Sequence, residues 1–234
     1  SALSAGIAIA LKSSRADAAW KIKMDKAVDK TVTSEAYGWF DPLYAKAAGD
    51  FSQVPWALSQ PVPYLTDWLA KNAGAGRSAV VVGCGLGDDA EALAEAGFSV
   101  TAFDISPSAI AWAKERFPDS SVNYGVGDLF HLPADFLSSF DLAFEFRTLQ
   151  ALPVEVRTKA IAQVASLIKP GGTLLVITYV RESEAVPDGP PWPLSAGELA
   201  HFESVGLQEV EKKSFHNKES RFRDRVLIQY RAPN

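Results

Sequence analysis

The stretch over residues 78–89, SAVVVGCGLGDD, constrains the fold more than any other part of the sequence. A run that is apolar at every position leads into glycines at alternate positions, and a segment of helical character, AEALAEAG, follows. Such a run is typical of a strand in a parallel sheet that helices cover on both faces. The glycines predict a tight turn whose backbone can approach a ligand closely. The sequence therefore predicts a buried strand, a ligand-binding turn and a helix start.

Two acids after this turn, Asp88 and Asp89, bear on the kind of ligand. The dinucleotide fingerprint GxGxxG needs a glycine where this chain has Asp88. In such sites a pyrophosphate lies at the helix N-terminus, and two carboxylates would compete with it there. A cofactor with a positive sulfonium and no phosphate fits better, and S-adenosylmethionine is the common one. N-capping and first-turn charge are the alternative role for the acids, and no basic residue is expected near Asp88 to bind a phosphate.

A third acid, Asp104, follows the next predicted strand, residues 100–103, and lies 21 residues after Gly83. At this spacing an acid can accept hydrogen bonds from both hydroxyls of a ribose. The alternative is a solvated loop acid. Ser106 and Pro107 then predict the N-cap and the first residue of the following helix.

Five motifs occur in order along the chain: VVVGCGLG, FDIS, VGDLFHLP, FDLAFEFRTLQAL and LIKPGGTLLVITY. In this series the chain resembles class I S-adenosylmethionine-dependent methyltransferases, from about Pro63 to its C-terminus. Within that superfamily, the aromatic N-terminal segment and the short core are similar to the thiopurine, thiol and halide methyltransferases. Where thiopurine enzymes have an Asp-Arg pair after the fourth strand, this chain has Glu145, Phe146 and Arg147.

The resemblance implies a Rossmann-like α/β fold, a three-layer sandwich around a seven-stranded, mostly parallel sheet whose last strand is antiparallel. It also implies methyl transfer from S-adenosylmethionine to a small molecule, with S-adenosylhomocysteine as the product. The chain would divide into an N-terminal extension and aromatic lid, residues 1–62, and a methyltransferase domain, residues 63–234.

In the resembled family, the acid at Asp128 accepts a hydrogen bond from the adenine amino group, with Leu129 and Phe130 beside the ring. The alternative for Asp128 is a turn acid. The residues predicted to bind the cofactor are Trp39, Trp56, Gly83, Cys84, Gly85, Gly87, Asp88, Asp104, Ile105, Ser106, Asp128, Leu129, Phe130 and Glu145.

An aromatic-rich segment precedes the glycine turn, and four prolines between residues 42 and 63 divide it into short pieces. Its rings could form ordinary core, but the prolines favour a lid over the site. Aromatic faces also suit a sulfonium, because they attract cations. Trp192, in a proline-rich loop after the fifth strand, is predicted to form a second wall, with a plain linker as the alternative.

The methyl acceptor is predicted to lie at the ends of the fourth and fifth strands, where the sequence has no histidine. Unperturbed acids are weak bases for an alcohol or a protonated amine. A thiol has a pKa of about 8.5, and a cation such as Arg147 raises its thiolate fraction. We therefore expect thiols first and halides next, with Glu145 orienting cofactor or acceptor. The catalytic candidates are Glu145, Arg147, Tyr44 and Trp192, with Trp39, Trp56 and Tyr179 beside them.

Composition limits the partners of this chain. Its 234 residues are 47% hydrophobic, which suits one domain with a large core. The net charge is −5 and no Lys/Arg cluster occurs, so we expect no nucleic-acid partner. The single cysteine and scattered histidines favour a reducing compartment and argue against a metal site. We expect a cytoplasmic monomer or weak dimer without a membrane partner.

The N-terminal residues and the function leave alternatives open. Residues 2–11 are apolar but too short to span a bilayer, and they could be the remnant of a targeting peptide or a helical extension. The rival functions are a dehydrogenase on the same sheet, a non-catalytic protein that binds S-adenosylmethionine, and a methyltransferase acting on an amine or hydroxyl.

Overall fold

The computed structural model describes residues 37–216 and 224–234, and these form one seven-stranded sheet. Its strands are β1 (Ser78–Val82), β2 (Ser99–Asp104), β3 (Asn123–Val126), β4 (Phe140–Phe146), β5 (Ile168–Tyr179), β6 (Gln208–His216) and β7 (Asp224–Arg231). They lie in the order β3-β2-β1-β4-β5-β7-β6. Strands β1 to β5 pair in parallel, and β7 is antiparallel to both of its neighbours. The predicted Rossmann-like sheet is confirmed.

Helices cover both faces of the sheet. They are α1 (Phe40–Ala47), α2 (Pro63–Leu69), α3 (Asp88–Glu95), α4 (Pro107–Arg116), α5 (Thr148–Ala151), α6 (Val154–Ser166) and α7 (Ala196–Ser204). Successive residues of β1 enter opposite cores, because side chains alternate along a strand. Val80 and Val82 pack on the side of α6 and α7, whereas Ala79 and Val81 pack on the side of α2, α3 and α4. This alternation produces the predicted three layers.

Two helices begin at capping residues that the sequence predicts, Ser106 with Pro107 and the box of Ser195 and Glu198. Ser106 Oγ accepts a hydrogen bond from Ala109 N at 3.0 Å at the start of α4, and Pro107 is its first residue. Ser195 and Glu198 form a complete capping box at α7. A cap of this kind typically contributes about 1 kcal/mol, so these ends are fixed by local sequence.

Two boundaries differ from the prediction. The sequence PVPYLTDWLAKNAG predicts a helix that ends at Gly74, but helix α2 ends at Leu69, and Asn72 Nδ2 donates to the carbonyl of Trp68 at 2.8 Å. The residues Pro170, Gly171 and Gly172 predict that the fifth strand starts at Thr173, but β5 begins at Ile168, which pairs with Phe140 before a bulge. The first difference reflects side-chain capping by Asn72, and the second reflects an irregular pairing that periodicity does not reveal.

The aromatic segment packs over the glycine turn. Tyr44 and Val54 form a small core with Leu86 of the turn and Ala109 of α4. Asp41 Oδ1 also accepts hydrogen bonds from Ser106 Oγ at 2.6 Å and from Ser108 N at 2.9 Å. The segment is therefore partly core and partly a cover above the ends of the strands.

The apolar residues 2–11 and the rest of the first 36 residues lie outside the described residues. Within residues 37–216 and 224–234, no helix has both the length and the hydrophobicity that a bilayer span needs. The division between lid and methyltransferase domain at residue 62 stays a prediction.

Candidate active site

A cavity of about 540 Å³ opens above the carboxyl ends of the central parallel strands. This volume lies within the usual range of about 300–1,000 Å³ for small-molecule sites. The floor contains residues that follow β1, β2 and β4, and the aromatic segment over residues 37–60 forms much of the wall. In open α/β sheets, ligands bind at this edge, where the direction of strand order reverses.

The glycine turn brings backbone to the cavity floor. Gly83 and Gly85 have φ of 61° and 51°, in the left-handed region that favours glycine. A Cβ at Gly83 would lie 2.3 Å from Thr148 Oγ1, and one at Gly85 would lie 3.0 Å from the Tyr44 hydroxyl. Any side chain at Gly83 would thus displace a neighbour, so the sequence at this turn is dictated by both conformation and space.

Asp104 lies at the end of β2 and lines the cavity. Its Oδ2 accepts a hydrogen bond from Gly85 N at 2.9 Å, and its Oδ1 accepts one from Ser106 N at 2.9 Å. Burial raises the pKa of this carboxyl, and the two backbone hydrogen bonds oppose that rise. Only 7% of the residue is exposed, so the alternative of a solvated loop acid is wrong. A carboxylate offers about four lone-pair positions, which leaves acceptors for a ligand.

Asp128 caps a turn, as its alternative role predicted, and it also lines the cavity. Its Oδ1 accepts a hydrogen bond from Phe130 N at 2.8 Å and so caps a short 3-10 turn, while Oδ2 lies 2.7 Å from His131 Nδ1. Asp128, Leu129 and Phe130 also line the cavity, and the Phe130 ring stacks on Tyr37 at 5.5 Å. The turn therefore presents both a carboxylate and an apolar ring to a ligand.

Asp88 forms a bidentate ion pair with Arg116, with both N–O distances at 2.7 Å. This corrects the expectation that no basic residue lies near Asp88. Arg116 ends α4, and the packing of that helix brings it to the turn although it lies 28 residues further along the chain. Because Asp88 occupies both ends of the guanidinium, a phosphate would have to displace a carboxylate to reach it.

Asp89 also lines the cavity, and its Oδ1 accepts a hydrogen bond from Val62 N at 2.8 Å. Burial raises the pKa of Asp89 to about 6, and the nearby charge of Arg147 opposes the rise. The sequence predicted Asp89 as an obstacle to phosphate or as a first-turn charge, and not as a proton acceptor. Its burial makes it a better proton acceptor near neutral pH than an ordinary aspartate.

Arg147 brings a cation to the cavity from the N-cap of α5, where its φ is 69°. Its Nη1 donates to the carbonyl of Trp56 at 2.7 Å, and its guanidinium lies 4.6 Å from the centre of the Phe146 ring. Burial lowers the pKa of Arg147 and the neighbouring Tyr179 opposes this, but an arginine side chain stays charged in proteins. The structure thus brings together Arg147 and Trp56, which the sequence predicted separately as acceptor-side residues.

Most of the other predicted site residues line the cavity, and two of them are hydrogen-bonded to each other. Trp56 Nε1 donates to the Tyr44 hydroxyl at 2.7 Å, and burial raises the pKa of Tyr44. The predicted residues that line the cavity are Trp39, Tyr44, Trp56, Gly83, Cys84, Gly85, Asp88, Asp104, Ile105, Asp128, Leu129, Phe130, Arg147 and Tyr179.

Glu145 does not line the cavity, which corrects its prediction as a cofactor and acceptor residue. It is fully buried in β4, two residues after Ala143, and therefore faces the α6 side of the sheet. Its Oε1 accepts a hydrogen bond from Leu149 N at 2.9 Å, at the start of α5. Burial raises the pKa of Glu145 to about 7, opposed by hydrogen bonds from the α5 backbone and by the charge of Arg157.

Three further predictions are corrected by position. The backbone N–H of Trp192 donates to the carbonyl of Gln150 at 2.7 Å, and its neighbours Pro190 and Pro191 line the cavity instead. Ser106 is fully buried as the cap of α4. Gly87 lies against Tyr124, whose hydroxyl would be 2.5 Å from an added Cβ, and so serves helix packing.

Several cavity residues were missed because they come from the four-residue helix α5 or from irregular segments, which have no periodic sequence pattern. Tyr37, Thr148 and Gln150 line the wall, as do Pro190 and Pro191. The proline cluster around Trp192 was the signal for that loop, but sequence pattern does not tell which of its residues turns inward.

Comparison with known proteins identifies the family. The family model described as thiopurine S-methyltransferase (TPMT) matches residues 50–231. The chain belongs to the thiopurine S-methyltransferase family. It is 27% identical over 169 residues to "Probable thiol methyltransferase 2" of Arabidopsis thaliana, covering 68% of this chain and 73% of that protein.

Other relatives and solved structures extend the comparison. "Ubiquinone biosynthesis O-methyltransferase" of Aromatoleum aromaticum is 32% identical over 126 residues, 53% of each protein, so the chain spans about half of that relative. The N-methyltransferase NodS of Bradyrhizobium japonicum, solved with S-adenosylhomocysteine, superposes with a TM-score of 0.65 at 23% identity, covering 82% of this chain and 97% of NodS. At this identity the superposition shows a shared fold.

The family establishes the cofactor and the reaction: the chain is an S-adenosylmethionine-dependent methyltransferase. The dehydrogenase alternative is therefore wrong. The site fits this cofactor, because the glycine turn is followed by acids, Asp104 presents a buried carboxylate at the end of β2, and aromatic rings surround the cavity.

Proposed function

We propose that the protein methylates a small-molecule thiol or another soft nucleophile at this cavity. The observation that carries the proposal is that Arg147 lines the cavity whereas no histidine or lysine does among the described residues. A guanidinium stabilises an anionic acceptor but cannot remove a proton from an alcohol or a protonated amine. An acceptor that ionises readily fits such a wall.

The cofactor side of the cavity comprises the glycine turn, Asp104 and the turn after Asp128. The backbone of residues 83–85 would approach the cofactor, Asp104 would accept the ribose hydroxyls, and Asp128 would accept the adenine amino group. When bound, S-adenosylmethionine supplies a methyl group carried by a positive sulfur, and the displacement needs in-line alignment more than acid or base chemistry.

The acceptor side comprises Arg147, Trp56, Tyr179 and the Pro190–Pro191 pair. Arg147 would lower the pKa of a bound thiol from about 8.5, so that more of it is thiolate at pH 7. Asp89 lies in the same cavity with a pKa of about 6 and could take the proton. The pKa difference between Asp89 and a phenol near 10, or an amine near 10.4, is larger than the difference between Asp89 and this thiol. The aromatic walls would exclude water.

A hydroxyl acceptor is the second candidate. The similarity to ubiquinone biosynthesis O-methyltransferases favours it, although those alignments cover about half of each protein. Such an acceptor would need Asp89 as an obligatory base, whereas a thiol would depend more on Arg147.

A panel of acceptors with one carbon skeleton tests the proposal. Benzyl mercaptan, benzyl alcohol and benzylamine, with phenol and iodide added, are incubated with the protein and S-adenosylmethionine, and product is measured by mass spectrometry. We expect methylation of the mercaptan to be at least about tenfold faster than that of the alcohol or amine.

The Arg147→Ala variant sharpens this test. Its loss of thiol turnover should be greater at pH 7 than at pH 9, where the thiol ionises without help. The Arg147→Lys variant keeps the charge and is the matched control. Turnover of phenol or amine without thiol activity would overturn the proposal.

A further inference from the structure

A bridge of buried charges lies behind the acceptor side of the cavity. Glu198 of α7 accepts hydrogen bonds from two arginines, at 2.6 Å from Arg157 Nη1 and at 2.6 Å from Arg181 Nη1. The exposed fractions of the side chains are 12% for Glu198, 1% for Arg157 and 9% for Arg181. None of the three lines the cavity. They are called the charge bridge below.

Each arginine of the charge bridge also holds a backbone carbonyl next to the cavity wall. Arg157 Nη2 donates at 2.9 Å to the carbonyl of Leu152, which follows α5 and lines the cavity. Arg181 donates to the carbonyl of Pro193 through Nη1 and to that of Ser183 through Nε at 3.0 Å. The second arginine thus closes the loop that carries the Pro190–Pro191 pair.

The two wall segments are also joined directly. Trp192 N donates to the carbonyl of Gln150 at 2.7 Å, and Gln150 Oε1 accepts from Tyr179 N at 2.8 Å. Helix α5, the end of β5 and the proline loop therefore form one connected wall. The charge bridge binds this wall through the backbone carbonyls that Arg157 and Arg181 contact.

The charge on Glu198 exceeds what the start of α7 requires. Its Oε2 accepts from Ser195 N at 2.8 Å within the capping box. A glutamine can fill the same position of a capping box, because only an acceptor is needed. The charge is needed by the two guanidiniums, since an arginine buried without its anion is strongly destabilising.

We propose that Glu198 is a positioning residue, which sets the shape of the acceptor side of the cavity by fixing α5 through Arg157 and the proline loop through Arg181. The inference rests on the proposed function in placing the acceptor against this wall. The cofactor side, formed by the glycine turn, Asp104 and Asp128, has no hydrogen bond to the charge bridge among the described residues. Acceptor binding and cofactor binding should therefore respond differently when the bridge is weakened.

The Arg181→Lys variant is the main test, because it keeps a charge beside Glu198 but cannot serve three acceptors with a planar fork. We expect the KM for benzyl mercaptan to rise about tenfold, since small misplacements of binding groups can cost up to about 100-fold. Affinity for S-adenosylhomocysteine, measured by calorimetry, should stay within about twofold of wild type. Hydrogen exchange should increase in residues 181–194.

Two variants separate the bridge from general loss of stability. Glu198→Gln keeps the capping box and should show the same rise in KM. Thr158→Ala removes a different contact between α6 and α7, that of Thr158 Oγ1 with His201 Nε2 at 3.2 Å, and should leave KM near the wild-type value because the charge bridge is intact. If Glu198→Gln does not fold, Arg181→Lys still decides.

An unchanged KM and unchanged exchange in Arg181→Lys would overturn the inference, and so would a loss of cofactor affinity that matches the rise in KM. If wild type methylates phenol or amine and no thiol, the proposed function fails, and the KM for that acceptor then tests the charge bridge in the same way. The exchange measurement needs no acceptor at all.

Discussion

Asp104 shows how a single carboxylate can hold the glycine turn and also line the cavity. Its two oxygens accept hydrogen bonds from Gly85 N and Ser106 N, so it fixes the cavity floor while facing the cavity. Hydrogen bonds to a charged acceptor are worth about 1.5–3 kcal/mol each, more than those between neutral groups. The residue therefore contributes both to the shape of the turn and to the ribose site proposed above.

We predict that Asp104→Ala weakens binding of S-adenosylhomocysteine about tenfold or more, because two ribose hydroxyls lose their acceptor. Cys84→Ala is the control, since Cys84 lies in the same turn and its thiol makes only a long contact, 4.0 Å, with the carbonyl of Gly85. Calorimetry on both variants measures the difference. Equal affinity of Asp104→Ala and wild type would show that the ribose lies elsewhere.

The position of a residue can be predicted from the sequence when nearby residues determine it, and not when tertiary packing does. Asp104 follows from strand, helix and strand spacing, which fixes its place at the sheet edge. The side of the sheet that Glu145 faces depends on which helices cover each face, and the strand sequence FDLAFEF is apolar enough to allow either. The contact between Arg116 and Asp88 is a tertiary one, for which the sequence contains no signal.

At the scale of elements, Glu145 belongs to the support of α5. Its Oε1 accepts from Leu149 N, while Oε2 accepts no hydrogen bond within the described residues. Burial of this incompletely compensated carboxylate raises its pKa to about 7. The folded state then binds a proton more tightly than the unfolded state does.

We predict that Glu145→Gln becomes more favourable for stability as pH rises. A carboxyl whose folded pKa is raised stabilises the protein fully below its unfolded pKa and loses that contribution as pH rises through the folded value. The difference in unfolding free energy, variant minus wild type, should increase by about 2 kcal/mol between pH 5.5 and pH 8. Urea unfolding at the two pH values measures this difference. The titration of Asp89 contributes equally to both proteins and so does not affect it. A constant difference would contradict the assignment.

The same variant should retain measurable methyl transfer, because Glu145 lies outside the cavity.

The sequence predicted the strands and the capped helices, since their causes are periodicity and local hydrogen bonds. It placed the end of α2 and the start of β5 less well. Those boundaries depend on the Asn72 side chain and on the pairing of Ile168 with Phe140, both of which need the folded chain.

At the scale of the whole molecule, ligand binding should couple the aromatic segment to the sheet. Asp41 of that segment binds the start of α4, and Arg147 after β4 binds the carbonyl of Trp56. Asp89 at the glycine turn binds Val62 N, just after the segment. A cofactor in the cavity would contact all of these elements, so it should stabilise the fold as one unit.

We therefore predict that S-adenosylhomocysteine raises the melting temperature and that NAD or NADP does not. A ligand that binds only the folded state stabilises it by RT ln(1 + [L]/Kd), about 2.7 kcal/mol at a hundredfold excess over Kd. For a chain of this size each kcal/mol corresponds to roughly 2–4 °C, so the shift should be about 5–10 °C. Dinucleotides should fail because a pyrophosphate at the turn would meet Asp89 and the Asp88–Arg116 pair. Asp104→Ala is the matched control, since its shift at the same ligand concentration should be smaller. A shift with NAD and none with S-adenosylhomocysteine would be incompatible with the cofactor site described above.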